Sequence, residues 1–161
     1  MTTAIIYATH HGTTAKVAKL IAEKSGDAAI DLFNLQQNKS PDISHYDRII
    51  IGGSIHMGTV QKRLKKFCEQ NMELLLTKQM GLFLSSMEQE EKGWNEFNLA
   101  FPEALRNHSA SNALTGYECL IEKMNFIEKM MIKKITGYSQ SFSKINNESI
   151  ETFVNKLNLK K

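Results

Sequence analysis

The polar stretch after the first apolar run of the chain combines residue types that can bind an anion. Residues 4–8 are apolar, and the polar positions that follow are Thr9, Gly12, Thr13 and Thr14. Apolar residues with helical spacing come next, so the pattern predicts a strand, a tight loop and a helix. The first amides of a helix lack intrahelical partners and lie at the positive end of its dipole. Together with the threonine hydroxyls, they predict a phosphate site in this loop.

Two common phosphate motifs do not fit the loop. A P-loop needs two glycines followed by a lysine, whereas this loop has only Gly12, and Lys16 comes after the threonines. The dinucleotide fingerprint needs three glycines, although Asp31 lies about where a ribose-binding acid is expected. Hydroxyls and amides without a fixed cation instead favour one terminal phosphate monoester, such as that of FMN.

The spacing of this stretch matches a known signature. Its specified positions are Ile5, Ile6, Tyr7, Thr9, Gly12, Thr14, Ala18 and Ile21. In residue type and spacing they resemble the flavodoxin signature. The resemblance implies FMN, with its phosphate held by Thr9, His10, His11, Gly12, Thr13 and Thr14. The alternative is a phosphate-free domain of the response-regulator kind, but such domains carry clustered acids at their strand ends and this loop has none.

Two histidines stand in the loop where flavodoxins usually have small or polar residues. Protonated, either His10 or His11 could pair with a phosphate. Adjacent side chains are expected to diverge too much for an evident metal pair. The sequence therefore predicts no metal site.

Composition indicates an ordinary globular chain. Its 161 residues, 42% hydrophobic and 23% charged, predict a single domain over residues 1–161. No apolar run approaches the roughly 18–20 residues of a membrane span, and no signal peptide is evident, so we expect a cytoplasmic protein.

Cys68 and Cys119 lack motif spacing and are predicted to be buried. The net charge of +3 is unlike that of acidic electron-shuttling flavodoxins, and the lysines lack interleaved aromatics, so nucleic acid is not an expected partner.

Apolar runs and helical stretches alternate along the chain. The predicted strands are residues 4–8, 28–33, 46–54, 81–85 and 113–120. The continuous isoleucines of the third run favour a central strand that is buried on both faces. The last helix is predicted to begin with Asn147 as its cap. We therefore expect a three-layer α/β flavodoxin-like fold, with a five-stranded parallel sheet of order 2-1-3-4-5 and helices on both faces.

In such a sheet the ligand lies beyond the carboxyl ends of strands one, three and four. The loop after strand three contains Ser54, Ile55, His56, Met57 and Gly58. Its Met57-Gly58 pair resembles the turn beside the flavin N5 in several flavodoxins, where glycine lets the peptide flip towards the reduced ring. The alternative is that Gly58 only makes a turn.

The loop after strand four occupies the position of the second flavin loop. It contains Ser85, Ser86, Met87 and Glu88. Its amides are expected to meet the pyrimidine edge, and Glu88 could disfavour the anionic reduced flavin by like-charge repulsion. Neither flavin loop contains the stacking Tyr or Trp of the family, and Trp94 is predicted to lie in the core or at the rim.

An extra segment, residues 121–146, is longer than a plain crossover. Met124, Ile127, Met131 and Ile135 form a helical stripe in it, among several lysines. With residues 46–48, 51–55 and 126–135, the chain resembles the bacterial quinone-dependent protoporphyrinogen dehydrogenases of the flavodoxin type. The resemblance implies an FMN-dependent enzyme with a porphyrinogen substrate and a quinone acceptor, and it identifies no catalytic side chain.

Other interpretations of the extra segment and of the function stay open. The stripe could contact a membrane through residues 124–135, on the inner face of the cell membrane, it could contact a flat macrocycle, or it could be core packing. A small electron-transfer flavodoxin that serves a reductase and an acceptor is the alternative function. An FMN-free regulatory or scaffold module is a third.

Overall fold

A parallel sheet forms the centre of the fold. The computed structural model describes residues 1–26, 29–56 and 58–159. In these ranges the strands are β1 (Thr3–Tyr7), β2 (Ile30–Asn34), β3 (Arg48–His56), β4 (Thr59–Val60), β5 (Gln79–Ser85), β6 (Ser111–Leu114), β7 (Gly116–Cys119) and β8 (Phe142–Ile145). The helices are α1 (Thr13–Ser25), α2 (Lys62–Gln70), α3 (Met72–Leu75), α4 (Glu90–Ala100), α5 (Glu103–His108), α6 (Phe126–Thr136) and α7 (Asn147–Lys156), with a 3-10 turn at Ile121–Lys123.

The order of the parallel strands is β2-β1-β3-β5-β6. This is the predicted order 2-1-3-4-5, because the short β4 pairs antiparallel with β3 and stands off this path. β1 lies between two neighbours, where Thr3 pairs with Ile30 on one side and with Arg48 on the other. The predicted α/β class is confirmed.

Helices cover both faces of the sheet. On one face, Ile50 of β3 shares a buried cluster with Phe153 of α7. On the other face, Ile49 and Ile51 share a cluster with Phe97 of α4. Since side chains alternate across a strand, the isoleucine run of β3 contributes to both clusters. This is the two-sided burial that the sequence predicted for a central parallel strand.

The predicted fifth strand, residues 113–120, is wrong in its extent. The chain turns after β6, and β7 leaves the parallel sheet to pair antiparallel with β8. Gly116 makes this possible because its φ is 70°, and a β-carbon there would lie only 2.1 Å from the carbonyl oxygen of Lys144. Only glycine allows both the left-handed backbone and this close approach.

The extra segment projects from this two-stranded ribbon. Its α6 begins with a capping box, in which Asn125 and Glu128 exchange side-chain and backbone hydrogen bonds. No residue of α6 is buried. The interpretation of its apolar stripe as core packing is therefore wrong.

Two smaller details concern the second strand and the last helix. β2 begins at Ile30, and Ala28 of the predicted strand lies outside the described residues. The cap of α7 is Asn146, whose Oδ1 accepts the amide of Ser149 at 2.9 Å, and not Asn147 as predicted. The helix thus begins one residue earlier than the prediction placed it, within the usual uncertainty of helix ends.

The two cysteines agree with the sequence prediction. Cys68 and Cys119 are both free and buried, as predicted. Burial raises the pKa of the Cys68 thiol to about 12, so this group is protonated and unreactive at neutral pH. None of the helices in the described ranges combines the length and apolar character that crossing a bilayer requires.

Candidate functional site

A cavity of about 440 Å³ lies where the loops after β1, β3 and β5 meet. Its volume falls in the range of small-ligand sites, about 300–1,000 Å³. Of the predicted site residues, those that line it are Thr9, His10, His11, Thr13, Ser54, Ile55, His56, Gly58, Ser85, Ser86, Met87 and Glu88. Gly12 and Thr14 are not part of this lining, and Met57 lies outside the described residues. The three loops therefore converge on one cavity.

The loop between β1 and α1 leaves several amides free. Gly12 precedes the helix with a φ of 99°, a left-handed conformation that favours glycine. Its amide donates to Thr9 Oγ1 at 2.9 Å. In the described part of the chain, the amides of His10 and His11 and of residues 13–15 meet no protein acceptor. They are available to an anion at the positive end of α1.

The three threonines of this loop differ in their surroundings. Thr9 Oγ1 accepts the amide of Gly12, and Thr13 Oγ1 donates to the carbonyl oxygen of Glu118 at 2.9 Å. Thr14 is fully buried, and its Oγ1 has no hydrogen-bond partner among the described residues. Because such a hydroxyl costs about 1–3 kcal/mol, Thr14 is the threonine that most needs an acceptor from a ligand.

The loop after β3 is held by a short antiparallel pairing. His56 of β3 lies opposite Thr59 of β4. The turn between them includes Gly58, whose φ is 74° and whose missing β-carbon would meet nothing described within 4 Å. Glycine is therefore needed here for its backbone and not for space. Ser54 Oγ accepts from the Gln61 side chain at 2.7 Å, which fixes the end of the strand.

The loop after β5 is braced by its own side chains. Ser86 Oγ donates to the Glu96 carboxylate and accepts the amide of Glu88 at 3.0 Å. The Glu88 carboxylate forms an ion pair with Lys92, one helical turn further on. Since Lys92 compensates its charge, the repulsion that the sequence predicted between Glu88 and a reduced flavin is weakened.

Three histidines surround one carboxylate on the wall of the cavity. The Nε2 atoms of His10, His11 and His56 lie 3.6, 3.4 and 3.5 Å from Glu128 Oε1. The rings of His10 and His11 are 4.4 Å apart, and those of His10 and His56 are 4.1 Å apart. The divergence expected of the adjacent His10 and His11 is therefore wrong for this loop.

The electrostatics of this histidine cluster follow from burial and hydrogen bonding. Burial lowers the pKa of His11 and of His56. The amide of Asn125 lowers the pKa of Glu128. At neutral pH, His11 and His56 are therefore neutral beside an ionised carboxylate, and the pairing of a protonated His11 with phosphate that the sequence suggested is disfavoured.

The family follows from a comparison with known proteins. Residues 4–145 match the family model of the flavodoxin domain, which is most of the chain. The chain belongs to the flavodoxin domain family. Oxidised flavodoxin 1 from Bacillus cereus has the same fold, with a TM-score of 0.58 and 19% identity over 99% of this chain and 97% of that one. A WrbA-like flavodoxin from Agrobacterium tumefaciens gives a TM-score of 0.55 and 17% identity over 99% of both chains.

One group of curated relatives matches a part of this flavodoxin domain. Protoporphyrinogen IX dehydrogenase [quinone] from Escherichia coli K12 is 29% identical over 73 residues. The match includes 44% of this chain and 40% of the relative. The chain thus spans less than half the length of the curated relatives that it matches.

The flavodoxin domain also has cavity residues that the sequence analysis did not assign to the flavin site. They are Lys92, Glu96, Tyr117, Glu118, Cys119, Met124, Glu128, Met131, Ile132 and Ile135. Most come from β7 and α6, which close one side of the cavity. The predicted stripe divides accordingly, because Met124 and Met131 line the cavity whereas Ile127 is 66% exposed.

Two residues that the sequence did not assign to the site, one on the cavity wall and one beside Gly12, change its character. Tyr117 is the only phenol or indole ring on the cavity wall within the described residues, while Trp94 packs against Phe97 instead. Lys123 brings its Nζ within 3.7 Å of where a β-carbon on Gly12 would lie. The sequence predicted a phosphate site without a cation in the loop between β1 and α1. In the structure this loop has the Lys123 ammonium beside it, supplied by the extra segment.

Proposed function

We propose that this flavodoxin domain binds FMN in the cavity and uses it to oxidise protoporphyrinogen, passing the electrons to a quinone. The observation that carries the proposal is the loop between β1 and α1, where amides at the start of α1 and the buried hydroxyl of Thr14 meet no partner among the residues that the structure describes. A phosphate monoester offers acceptors to all of these donors. The Lys123 ammonium beside Gly12 adds a positive charge.

The loops after β3 and β5 and the ring of Tyr117 line the rest of the cavity, where the flavin ring would lie. Bound FMN would supply the redox chemistry, while the protein binds and shields it. The bracing of Ser54 by Gln61 and of Ser86 by Glu96 holds two loops in place before any ligand arrives. Met131 of α6 gives the cavity an apolar wall that limits access of water.

The partial match to the Escherichia coli dehydrogenase supports the choice of substrate. The charge of the extra segment supports it too. Lys129, Lys133 and Lys134 lie on α6 but do not line the cavity, so they would attract the carboxylates of a porphyrinogen by long-range electrostatic steering.

The exposed side of α6 supports a contact with the membrane that holds the quinone. Phe126, Ile127 and Met130 are 74%, 66% and 55% exposed. Apolar side chains among lysines are typical of helices that lie in the interface of an anionic membrane. We therefore place the protein at the inner face of the cell membrane when it meets its acceptor.

The FMN site is tested by removing the unpartnered hydroxyl. In Thr14→Val, FMN affinity should fall about 10- to 100-fold, because a hydrogen bond to a charged phosphate is worth about 1.5–3 kcal/mol. The FMN-free protein should be as stable as the parent or more so, since a costly buried hydroxyl is gone. Fluorescence titration and urea unfolding measure the two effects, with the exposed Thr77→Val as control. Unchanged FMN affinity in Thr14→Val would contradict the site.

The reaction is tested separately on the FMN-loaded protein. Anaerobic incubation with protoporphyrinogen and a quinone should give protoporphyrin fluorescence together with reduced quinone. The second candidate is an electron carrier, which membership of the flavodoxin domain family supports. If the protein instead transfers electrons from a flavoprotein reductase to cytochrome c and leaves protoporphyrinogen unchanged, it is an electron carrier.

A further inference from the structure

The histidine cluster, His10, His11, His56 and Glu128, has the composition of a metal site. Each residue offers one ligand atom, and these four atoms all lie within 4.8 Å of one another. His10 and His11 follow β1, His56 ends β3 and Glu128 lies in the first turn of α6. Imidazole nitrogens with one carboxylate oxygen are ligands that Zn²⁺ and its neighbours in the first transition row prefer.

The distances in the cluster fit a metal better than they fit direct contacts. The three Nε2 atoms lie 3.4–3.6 Å from Glu128 Oε1. These separations exceed those of N–H···O hydrogen bonds, about 2.7–3.2 Å. In a tetrahedral site with bonds of about 2.0–2.1 Å, neighbouring ligand atoms are about 3.3–3.4 Å apart. The three separations from Glu128 Oε1 are thus close to the edge of such a tetrahedron, and the remaining ligand atoms lie within 4.8 Å of one another.

The orientation of two ligands also supports a cation between them. Glu128 Oε2 accepts the amide of Asn125 at 3.0 Å, which leaves Oε1 for the histidines. Metal ligands in proteins are commonly held by such a bond to their other polar atom. The Nε2 atom of His11 is buried without a hydrogen-bond partner in the described part of the chain. Between the three imidazole rings, away from the loop amides, an anion would be repelled by the Glu128 carboxylate, whereas a cation would be attracted.

We propose that His10, His11, His56 and Glu128 bind one divalent transition-metal ion of the Zn²⁺ class. Four protein ligands close a tetrahedral site, so its role is structural. Three ligands come from the flavodoxin core and the fourth from the extra segment. Because no residue of α6 is buried, the metal would fasten this helix over the cavity where packing does not.

The proposal is tested by adding Co²⁺ alone to the untagged full-length chain after removal of metals with a chelator. One equivalent should give the visible absorption of tetrahedral Co²⁺, and Zn²⁺ should abolish it by displacement. Titrations are run with and without FMN, and absorption in either form supports the site. Its absence from both forms overturns the proposal. Failure of the FMN proposal would leave this test unaffected, since the Co²⁺ bands need no flavin.

Matched variants locate the metal. Glu128→Gln and His10→Gln should each weaken Co²⁺ binding by more than about tenfold, since even a residue that only positions a ligand contributes about 10- to 100-fold. His45→Gln and His108→Gln change histidines outside the cluster and should leave binding unchanged. His10 is 46% exposed in its side chain, so its variant is expected to fold even if another does not. Parental affinity in a folded His10→Gln protein, or equal losses in the two controls, would refute the assignment.

Discussion

The sheet core and the extra segment contribute to the same cavity in different ways. The core supplies free amides and a buried hydroxyl at Thr14, positioned by strands whose residues are almost all buried. The extra segment supplies Lys123, Glu128 and an apolar wall from a helix that buries none of its residues. The core thus provides fixed hydrogen-bond donors, whereas the extra segment provides charged groups and one apolar wall of the cavity.

This difference suggests a division of roles. Hydrogen-bond donors that bind a ligand phosphate need fixed positions, which a buried sheet and a helix start can give. A helix that lies on the surface can vary in sequence at low cost to stability, because surface substitutions are usually within about 0.5 kcal/mol. We therefore expect cofactor binding to depend on the core, and substrate and membrane contacts to depend on the segment.

The largest expected effect compares the same substitution in the two regions. Phe153 of α7 is 1% exposed, whereas Phe126 of α6 is 74% exposed. Phe153→Ala should lower the free energy of unfolding by about 3–5 kcal/mol, because it leaves a cavity in the core. Phe126→Ala should change it by about 0.5 kcal/mol or less. Urea denaturation of both variants measures the difference.

A comparable loss in the two variants would break the division of roles. It would mean that α6 is packed against the core more firmly than its exposure indicates. As a control, Zn²⁺ is added to Phe126→Ala. A metal that binds only the folded state raises the free energy of unfolding, so a rise shows that the proposed metal site is intact in this variant.

The next effect concerns the exposed side of α6. Ile127→Ser should weaken binding to vesicles with anionic lipids by about tenfold or more, because burial of such a side chain is worth about 1.5–3 kcal/mol. The matched control is Leu99→Ser on α4, since Leu99 is 75% exposed and Ile127 is 66% exposed. Co-sedimentation with vesicles provides the measurement. Equal weakening by both substitutions would show that the membrane contact does not reside in the segment.

The sequence predicted the core much better than the segment, for a physical reason. The run Ile49–Ile51 encodes burial on both faces, and this property alone places β3 in the centre of the sheet. The break at Gly116 has no such signal, since residues 113–120 are compatible with one strand and the turn depends on contact with the distant Lys144.

The cavity shows the same contrast. The loops after β1, β3 and β5 could be predicted, because parallel strands deliver their carboxyl ends to one edge. The positions of Lys123 and Glu128 could not be predicted, since both residues are more than 100 positions from the loop between β1 and α1 and no sequence periodicity links them to it. One local signal was available: Asn125 followed by Glu128 at the third position predicts a capping box, and thus the carboxylate orientation.

The smallest effect tests whether the charge of the extra segment matters to the core site. Lys123→Gln should weaken FMN binding by about two- to fivefold, since an exposed ion pair contributes little. The loss should shrink at high salt, because salt screens exposed charges. Lys129→Gln, a lysine of the same segment on α6, is the control and should leave FMN affinity unchanged. Fluorescence titration at low and high salt measures both variants. A salt-independent loss would indicate that Lys123 positions the loop by packing, and the segment would then share the structural role assigned to the core.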